Sequence, residues 1–237
     1  MQVYLCPSPE LYPLYHRSNS IVIIVDIFRA STTMVAAFAH GAKGILPVAS
    51  TEEAEEMGKR LGALIAAERN VVRCDFAQLG NDPAEYTTDL VCGREIVFTT
   101  TNGTRALTIA REHGAEEILV GALTNLRATI DYCQRSDRDV VVLAAGWNGQ
   151  ASMEDMLYAG AFTVEAGAIA GDDTTRMVRD LWKDYAATLD ARTEYIKSSD
   201  HYVRLEQAGF ADCVTYCMSL SLFNLVLRLE DGWLRAL

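Results

Sequence analysis

"IVIIVDIFRASTT", residues 21–33, decides the fold class of this chain. Five apolar, mostly β-branched residues run without a polar break, as in a strand buried on both faces. Asp26 ends the run, Arg29 follows three residues on, and Ser31, Thr32 and Thr33 come next. An acid, a base and three hydroxyls therefore sit where a buried strand turns into a helix. Short apolar runs recur at 45–48, 96–98, 118–120 and 140–143. Stretches of helical period lie between them. Ala54, Met57 and Leu61 share one face after a Ser50–Glu53 capping-box spacing, and Leu126, Ile130 and Cys133 share another after Thr124. This alternation predicts an α/β fold with three layers, α/β/α, around a largely parallel sheet. From residue 152 the chain reads as mostly helical, and the apolar tail 210–233 as a docked helix with a final strand. No low-complexity linker or internal repeat divides the 237 residues. One domain over 1–237 is expected, its helical C-terminal portion from about 172 packed on the rest.

Composition narrows the function. Half the residues are hydrophobic and 22% are charged, as in a soluble globular protein. No apolar run approaches the roughly 20 residues that span a bilayer, so no membrane partner is expected. The start "MQVYLCPSPE" has no basic region ahead of an apolar stretch, and the six scattered cysteines form no CxxC pair. They read as reduced thiols in a cytoplasm. A net charge of −11 argues against nucleic acid as a partner. It also means that local cations, not the global field, must hold any anionic substrate.

Three strand ends carry polar text: "VDIFRASTT" after 21–25, "TTTNGTR" (99–105) after 96–98, and "AAGWNGQASMED" (144–155) after 140–143. "AERN" (67–70) is a fourth candidate. Ligands of parallel sheets bind outside the carboxyl ends of the strands, so these loops are expected to form one site. "TNGT" places Gly103 at a helix start, where N–H groups and hydroxyls hold phosphate, with Arg105 nearby. Asp26, Glu154 and Asp155 are the acids available for Mg²⁺, which takes one or two carboxylates plus phosphate and water. "SMED" also has capping-box spacing, so Asp155 is either a site residue or a helix cap on Ser152.

Other phosphate chemistries do not fit the text. No cysteine has an arginine six residues on, and neither GxxxxGK[ST] nor GxGxxG occurs. "DIFRA" has Phe28 where an aspartyl-phosphate enzyme needs its second Asp, and "DRDVV" (137–141) precedes its strand. Four dispersed histidines do not suit a zinc site. Cys213 and Cys217 share a helix face and read as core, and His201 alone points to nothing.

Five ordered blocks resemble the 2-phosphosulfolactate phosphatase family: "VDIFRASTTMVAAFAHGA", "AERNVVRCDFAQLGNDPAEY", "TTTNGTRAL", "GWNGQASMEDMLYAGA" and "SSDHYVRLEQAGFADCVTYC". The resemblance implies a Mg²⁺-dependent acid phosphatase that converts 2-phosphosulfolactate to 3-sulfolactate and phosphate, on a route to coenzyme M. Asp26, Arg29, Ser31 and Thr32 match its first motif, and Glu68, Arg69 and Asn81 its second. Thr100, Thr101, Asn102, Gly103 and Thr104 match the third, and Asn148, Gly149, Glu154 and Asp155 the fourth. The chain departs from the pattern at "HYVRL", where Tyr202 and Val203 replace glycine and arginine, and at Asp82, which replaces serine. The expected partner is a small phosphate ester held by Arg29, Arg69 or Arg105, with Asp26 holding the metal or activating water. A covalent route through Ser31 stays open, as do a different phospho-hydroxy acid, a non-catalytic phosphoester-binding module, and the oligomeric state, a homodimer included.

Overall fold

The computed structural model describes all residues, Met1–Leu237. Eleven strands form one sheet: β1 (Gln2–Cys6), β2 (Ile21–Val25), β3 (Gly44–Pro47), β4 (Leu64–Arg69), β5 (Val72–Arg73), β6 (Glu95–Thr99), β7 (Glu117–Gly121), β8 (Val140–Ala144), β9 (Ile169–Ala170), β10 (Leu227–Glu230) and β11 (Trp233–Ala236). Their order is β5-β4-β6-β3-β11-β10-β7-β2-β8-β1-β9. Helices cover both faces, giving the three-layer α/β/α fold, and β2 and β8 are buried along their whole length. The five apolar runs read from the sequence are β2, β3, β6, β7 and β8, with boundaries shifted by at most one residue.

Two features differ from a simple parallel sheet: β5 runs antiparallel to β4 at one edge, and a hairpin divides the remaining strands. β4, β6 and β3 form one parallel block, and β7, β2, β8, β1 and β9 form another. The C-terminal hairpin β10–β11 lies between them, antiparallel to β7, to β3 and within itself. Three successive reversals make the two blocks formally opposite in direction. A twist of roughly 20–25° per step accumulates about 100–125° over the five steps from β6 to β2. That rotation turns the carboxyl ends of the two blocks back toward each other. The tail is thus not a docked helix with one strand. Only Val214–Cys217 is α-helical there, and the hairpin joins the middle of the sheet.

Register levels the strand ends. Val25 pairs with both Gly121 and Ala144, and Ala67 pairs with Thr99. Asp26 and Ala145 therefore leave their strands at one height, and Glu68, still within β4, is level with Thr100, the first residue after β6. No helix is long and apolar enough to cross a membrane.

The helices Met153–Glu165 and Asp173–Tyr185 pack closely through Gly160. A Cβ there would lie 2.3 Å from the Val178 carbonyl oxygen and 3.0 Å from Trp182 Cβ. Alanine gains about 1 kcal/mol over glycine in helix propensity, but forcing packed backbone apart costs about 1–3 kcal/mol. Gly160→Ala should therefore lower the urea-unfolding free energy on balance. An unchanged or higher midpoint would show that the helices separate freely.

Candidate functional site

The carboxyl ends of β2, β4, β6 and β8, the segments after them and the helix Asp200–Gln207 enclose a cavity of about 370 Å³. Asp26, Phe28 and Arg29 follow β2, Glu68 lies near the end of β4 with Asn70 just beyond the strand, and Thr100, Thr101 and Asn102 follow β6. Trp147 follows β8, and His201, Arg204 and Gln207 come from the helix. The polar strand ends thus meet as expected, but across the two opposed blocks and not along one parallel edge.

Arg29 is the deepest cation, with its side chain 1% exposed. Its guanidinium lies over the Phe210 ring at 4.3 Å, and Nη2 donates a long bond to the Val71 carbonyl at 3.4 Å. Nη1 has no hydrogen-bond partner, and Asp82 Oδ2 stands off at 3.7 Å. A buried guanidinium with an unused donor costs free energy unless an acceptor arrives. Thr100 Oγ1 and Asn81 Oδ1, on the same cavity, are also buried and unpaired. Asp82 replaces the family serine, caps the short turn at Ala84 N (3.0 Å), and brings a carboxylate near Arg29.

Two carboxylates face this cavity. Asp26 Oδ1 accepts from Ala30 N at 3.4 Å, and Oδ2 has no protein partner. Burial pushes the Asp26 carboxyl up to about 6. His201 and the Ala30 amide pull against that shift, and Glu68 and Glu154 add to it. Glu68 Oε1 accepts from Val71 N at 2.5 Å and weakly from Thr101 Oγ1 at 3.5 Å. The helix Gly103–Glu112 starts beside them with no side-chain cap. A Cβ on Gly103 would sit 3.1 Å from Asp26 Oδ2, so glycine leaves that oxygen free.

The other sequence candidates are placed differently. Ser31 Oγ donates to the Asp26 carbonyl (2.9 Å) and accepts from its N–H (3.1 Å), while Thr32 Oγ1 donates to the Ile27 carbonyl. Both side chains are buried and neither lines the cavity, so these hydroxyls tie the helix start to the strand end. Thr104 Oγ1 donates to the Thr100 carbonyl. Arg69 reaches back to the Glu68 carbonyl and Thr99 Oγ1. Arg105 is half-exposed and paired with Glu10 at 2.6 Å. Asn148 and Gly149 bend at positive φ beyond the cavity wall, and Gly149 approaches Glu10.

Asp155 is neither a Ser152 cap nor an open ligand. Its Oδ1 accepts from Ile27 N at 2.8 Å and Oδ2 from Gly146 N at 3.0 Å, and the Ser152 side chain caps nothing. Burial, then Glu154 and Asp26, raise its pKa well above the usual carboxylate range, against those two amides. Glu154 is fully buried, with Oε1 2.5 Å from His201 Nδ1. Of the three acids expected to share a metal, Glu154 is thus engaged by His201 and Asp155 by two backbone amides, and no group of three or more His, Cys, Asp or Glu side chains is arranged to hold an ion. Asp26 and Glu68 are the carboxylates that fit one, within the one or two that Mg²⁺ usually takes.

His201 and Arg204 were missed as site residues, although both lie in the fifth block. They stand on a helix remote in sequence, and only the intact "H…R" of "HYVRL" marks them. Val203, where the family has arginine, is 40% exposed and lies outside the cavity, whereas Arg204 stacks on Trp147 at 4.1 Å.

The 2-phosphosulpholactate phosphatase family model matches residues 6–232. A protein of Caldanaerobacter subterraneus subsp. tengcongensis named "Probable 2-phosphosulfolactate phosphatase" is 34% identical over 220 residues, covering 90% of this chain and 89% of its own length. A Thermotoga maritima protein of the same name is 35% identical, covering 89% of each chain. One from Clostridium perfringens is 29% identical over 90% of this chain and 87% of its own. Matched over nearly its whole length by the family and by relatives above 30% identity, this chain belongs to the 2-phosphosulpholactate phosphatase family of phosphoric monoester hydrolases.

Proposed function

We propose that the protein is a Mg²⁺-dependent phosphatase of a small, multiply anionic phosphate ester. The first candidate is 2-phosphosulfolactate, released as 3-sulfolactate and phosphate, the chemistry of a route to coenzyme M. What supports this most directly is the unpaired, buried Nη1 of Arg29 in the same cavity as the Asp26 and Glu68 carboxylates. The arginine calls for an anion and the acids for a cation, and a metal-bound phosphate satisfies both. Relatives named for 2-phosphosulfolactate support the substrate.

Arg29 would hold the phosphate, with the Thr100 hydroxyl and the uncapped helix start at Gly103 completing the anion cradle. Asp26 and Glu68 would hold Mg²⁺, which when bound neutralises phosphate charge and polarises a water. Phe28 and Trp147 wall the cavity and limit its water, which strengthens every charge interaction inside. Arg204 supplies a second cation for the acid groups of the ester, so the altered "HYVRL" motif still leaves a positive charge in the cavity.

Phosphate release from 2-phosphosulfolactate or 2-phospholactate should require Mg²⁺ or Mn²⁺ and stop in EDTA. Full turnover in EDTA would remove the metal from the account.

Arg29→Lys should cut kcat/KM on the order of 100-fold or more, since an ammonium cannot reproduce the planar donor fork. Near-normal kinetics for that variant would mean that Arg29 serves only the packing around Phe210.

Asp26 should also couple stability to pH in metal-free protein. Its folded pKa, about 6, lies above the ordinary carboxylate value. The stabilisation from its protonated form is complete below about pH 4 and is lost as pH rises through about 6. Asp26→Asn should thus match wild type near pH 4 and exceed it by roughly 2–3 kcal/mol at pH 8, with activity abolished. Denaturant melts in EDTA at the two pH values check this. A constant difference would show that Asp26 is not desolvated.

A further inference from the structure

An alkoxide leaving group needs a proton, and none of the groups assigned to the phosphate or the cation supplies it. A secondary alcohol is a poor leaving group as its anion, so an acid placed at the ester oxygen is worth about 10²–10⁴ in rate. Asp26 and Glu68, as metal-holding carboxylates, cannot also serve as that acid.

His201 lines the cavity together with Asp26 and Arg29. Its Nδ1 lies 2.5 Å from Glu154 Oε1, and the Phe28 ring meets it edge-on with centroids 5.8 Å apart. Both contacts fix the ring. Nε2 makes no hydrogen bond to the protein and His201 lines the cavity, so it is the nitrogen open to a ligand. Glu154 is itself fully buried, and its Oε2 has no partner. A buried carboxylate on Nδ1 holds a proton at that nitrogen in either charge state, so the second proton of the protonated ring is carried on Nε2. In "SMED", Glu154 is therefore turned to a histidine, and Asp155 to the strand ends.

The geometry points to His201 as the general acid of the phosphatase, with Glu154 as its positioning residue. The inference rests on the proposed phosphatase reading. In the step, the oxygen of a water forms a bond to phosphorus while the ester P–O bond breaks. The electron pair of that bond goes to the ester oxygen, which takes the proton from His201 Nε2. The proton lost by the attacking water stays on the product phosphate or passes to solvent, and solvent reprotonates Nε2. One water is consumed, and one alcohol and one phosphate are formed.

Two small esters separate this from a purely structural role. 2-Phospholactate leaves as an alkoxide and needs the proton; acetyl phosphate leaves as acetate and does not. His201→Asn should lower kcat on 2-phospholactate on the order of 100- to 1,000-fold and on acetyl phosphate by about tenfold at most. Glu154→Gln should lower kcat on 2-phospholactate alone, on the order of tenfold, with KM unchanged. Equal losses on both esters for His201→Asn would overturn the assignment while leaving the phosphatase intact. If wild-type protein releases no phosphate from either ester or from 2-phosphosulfolactate, it is the phosphatase reading that fails. Should the variant not fold, wild type still decides. Comparable kcat on the two esters supports an acid at the leaving group, and a preference for acetyl phosphate beyond about 1,000-fold, near the range such an acid supplies, overturns it.

Discussion

One carboxylate holds the site in register. Asp155, on the first turn of the helix Met153–Glu165, accepts from Ile27 N after β2 and from Gly146 N after β8. Ile27 is flanked by Asp26 and Phe28, and Gly146 precedes Trp147, so three cavity residues take their positions from it. The two amides satisfy both of its oxygens, as a buried acid requires. Removing either amide contact would leave a polar group unpaired in an apolar surround, at a cost of about 1–3 kcal/mol. The neighbouring residue, Glu154, points the other way and holds His201. Two adjacent acids thus serve two different walls of one cavity.

The second constraint is charge. The chain carries a net −11, and Asp26, Glu68, Glu154 and Asp155 are all buried, with Glu68 and Glu154 acting on Asp26, and Glu154 and Asp26 on Asp155. Mutual repulsion and desolvation raise the pKa of Asp26 and Asp155, the signature of a functional site more often than of a structural one. Arg29, Arg204 and His201 are the cavity's opposing groups. An anionic substrate has to be held by that local balance, because the overall field of the protein repels it.

Much of the sheet was legible because β2, β3, β6, β7 and β8 are apolar and buried on both faces, which leaves an uninterrupted signal. β10 and β11 were not, since "LRLE" and "WLRA" are half-buried and alternate with arginines. Their place between the two parallel blocks is a long-range pairing that local pattern does not encode. In the site, Asp26 and Thr100–Asn102 were readable as polar text at strand ends. Ser31 and Thr32 were readable only as hydroxyls at a helix start, and the sequence cannot separate a hydroxyl that caps from one that reacts. Arg105, Asn148 and Gly149 share motifs with cavity residues but turn outward, Arg105 to Glu10. Glu68 entered through motif similarity alone, and its carboxylate lines the cavity, whereas those of Glu154 and Asp155 are engaged by His201 and by two backbone amides.

In the proposed function, cation and anion bind as one unit, between the acids Asp26 and Glu68 and the unpaired donor of Arg29. Such sites are thermodynamically linked, so each ligand must tighten the other by the same factor. Calorimetric titration of inorganic phosphate into the protein, once with Mg²⁺ and once in EDTA, measures that factor. The account predicts at least tenfold tighter phosphate binding with Mg²⁺, and loss of the difference in Glu68→Gln. Phosphate affinity identical with and without Mg²⁺ in the wild-type protein would contradict it.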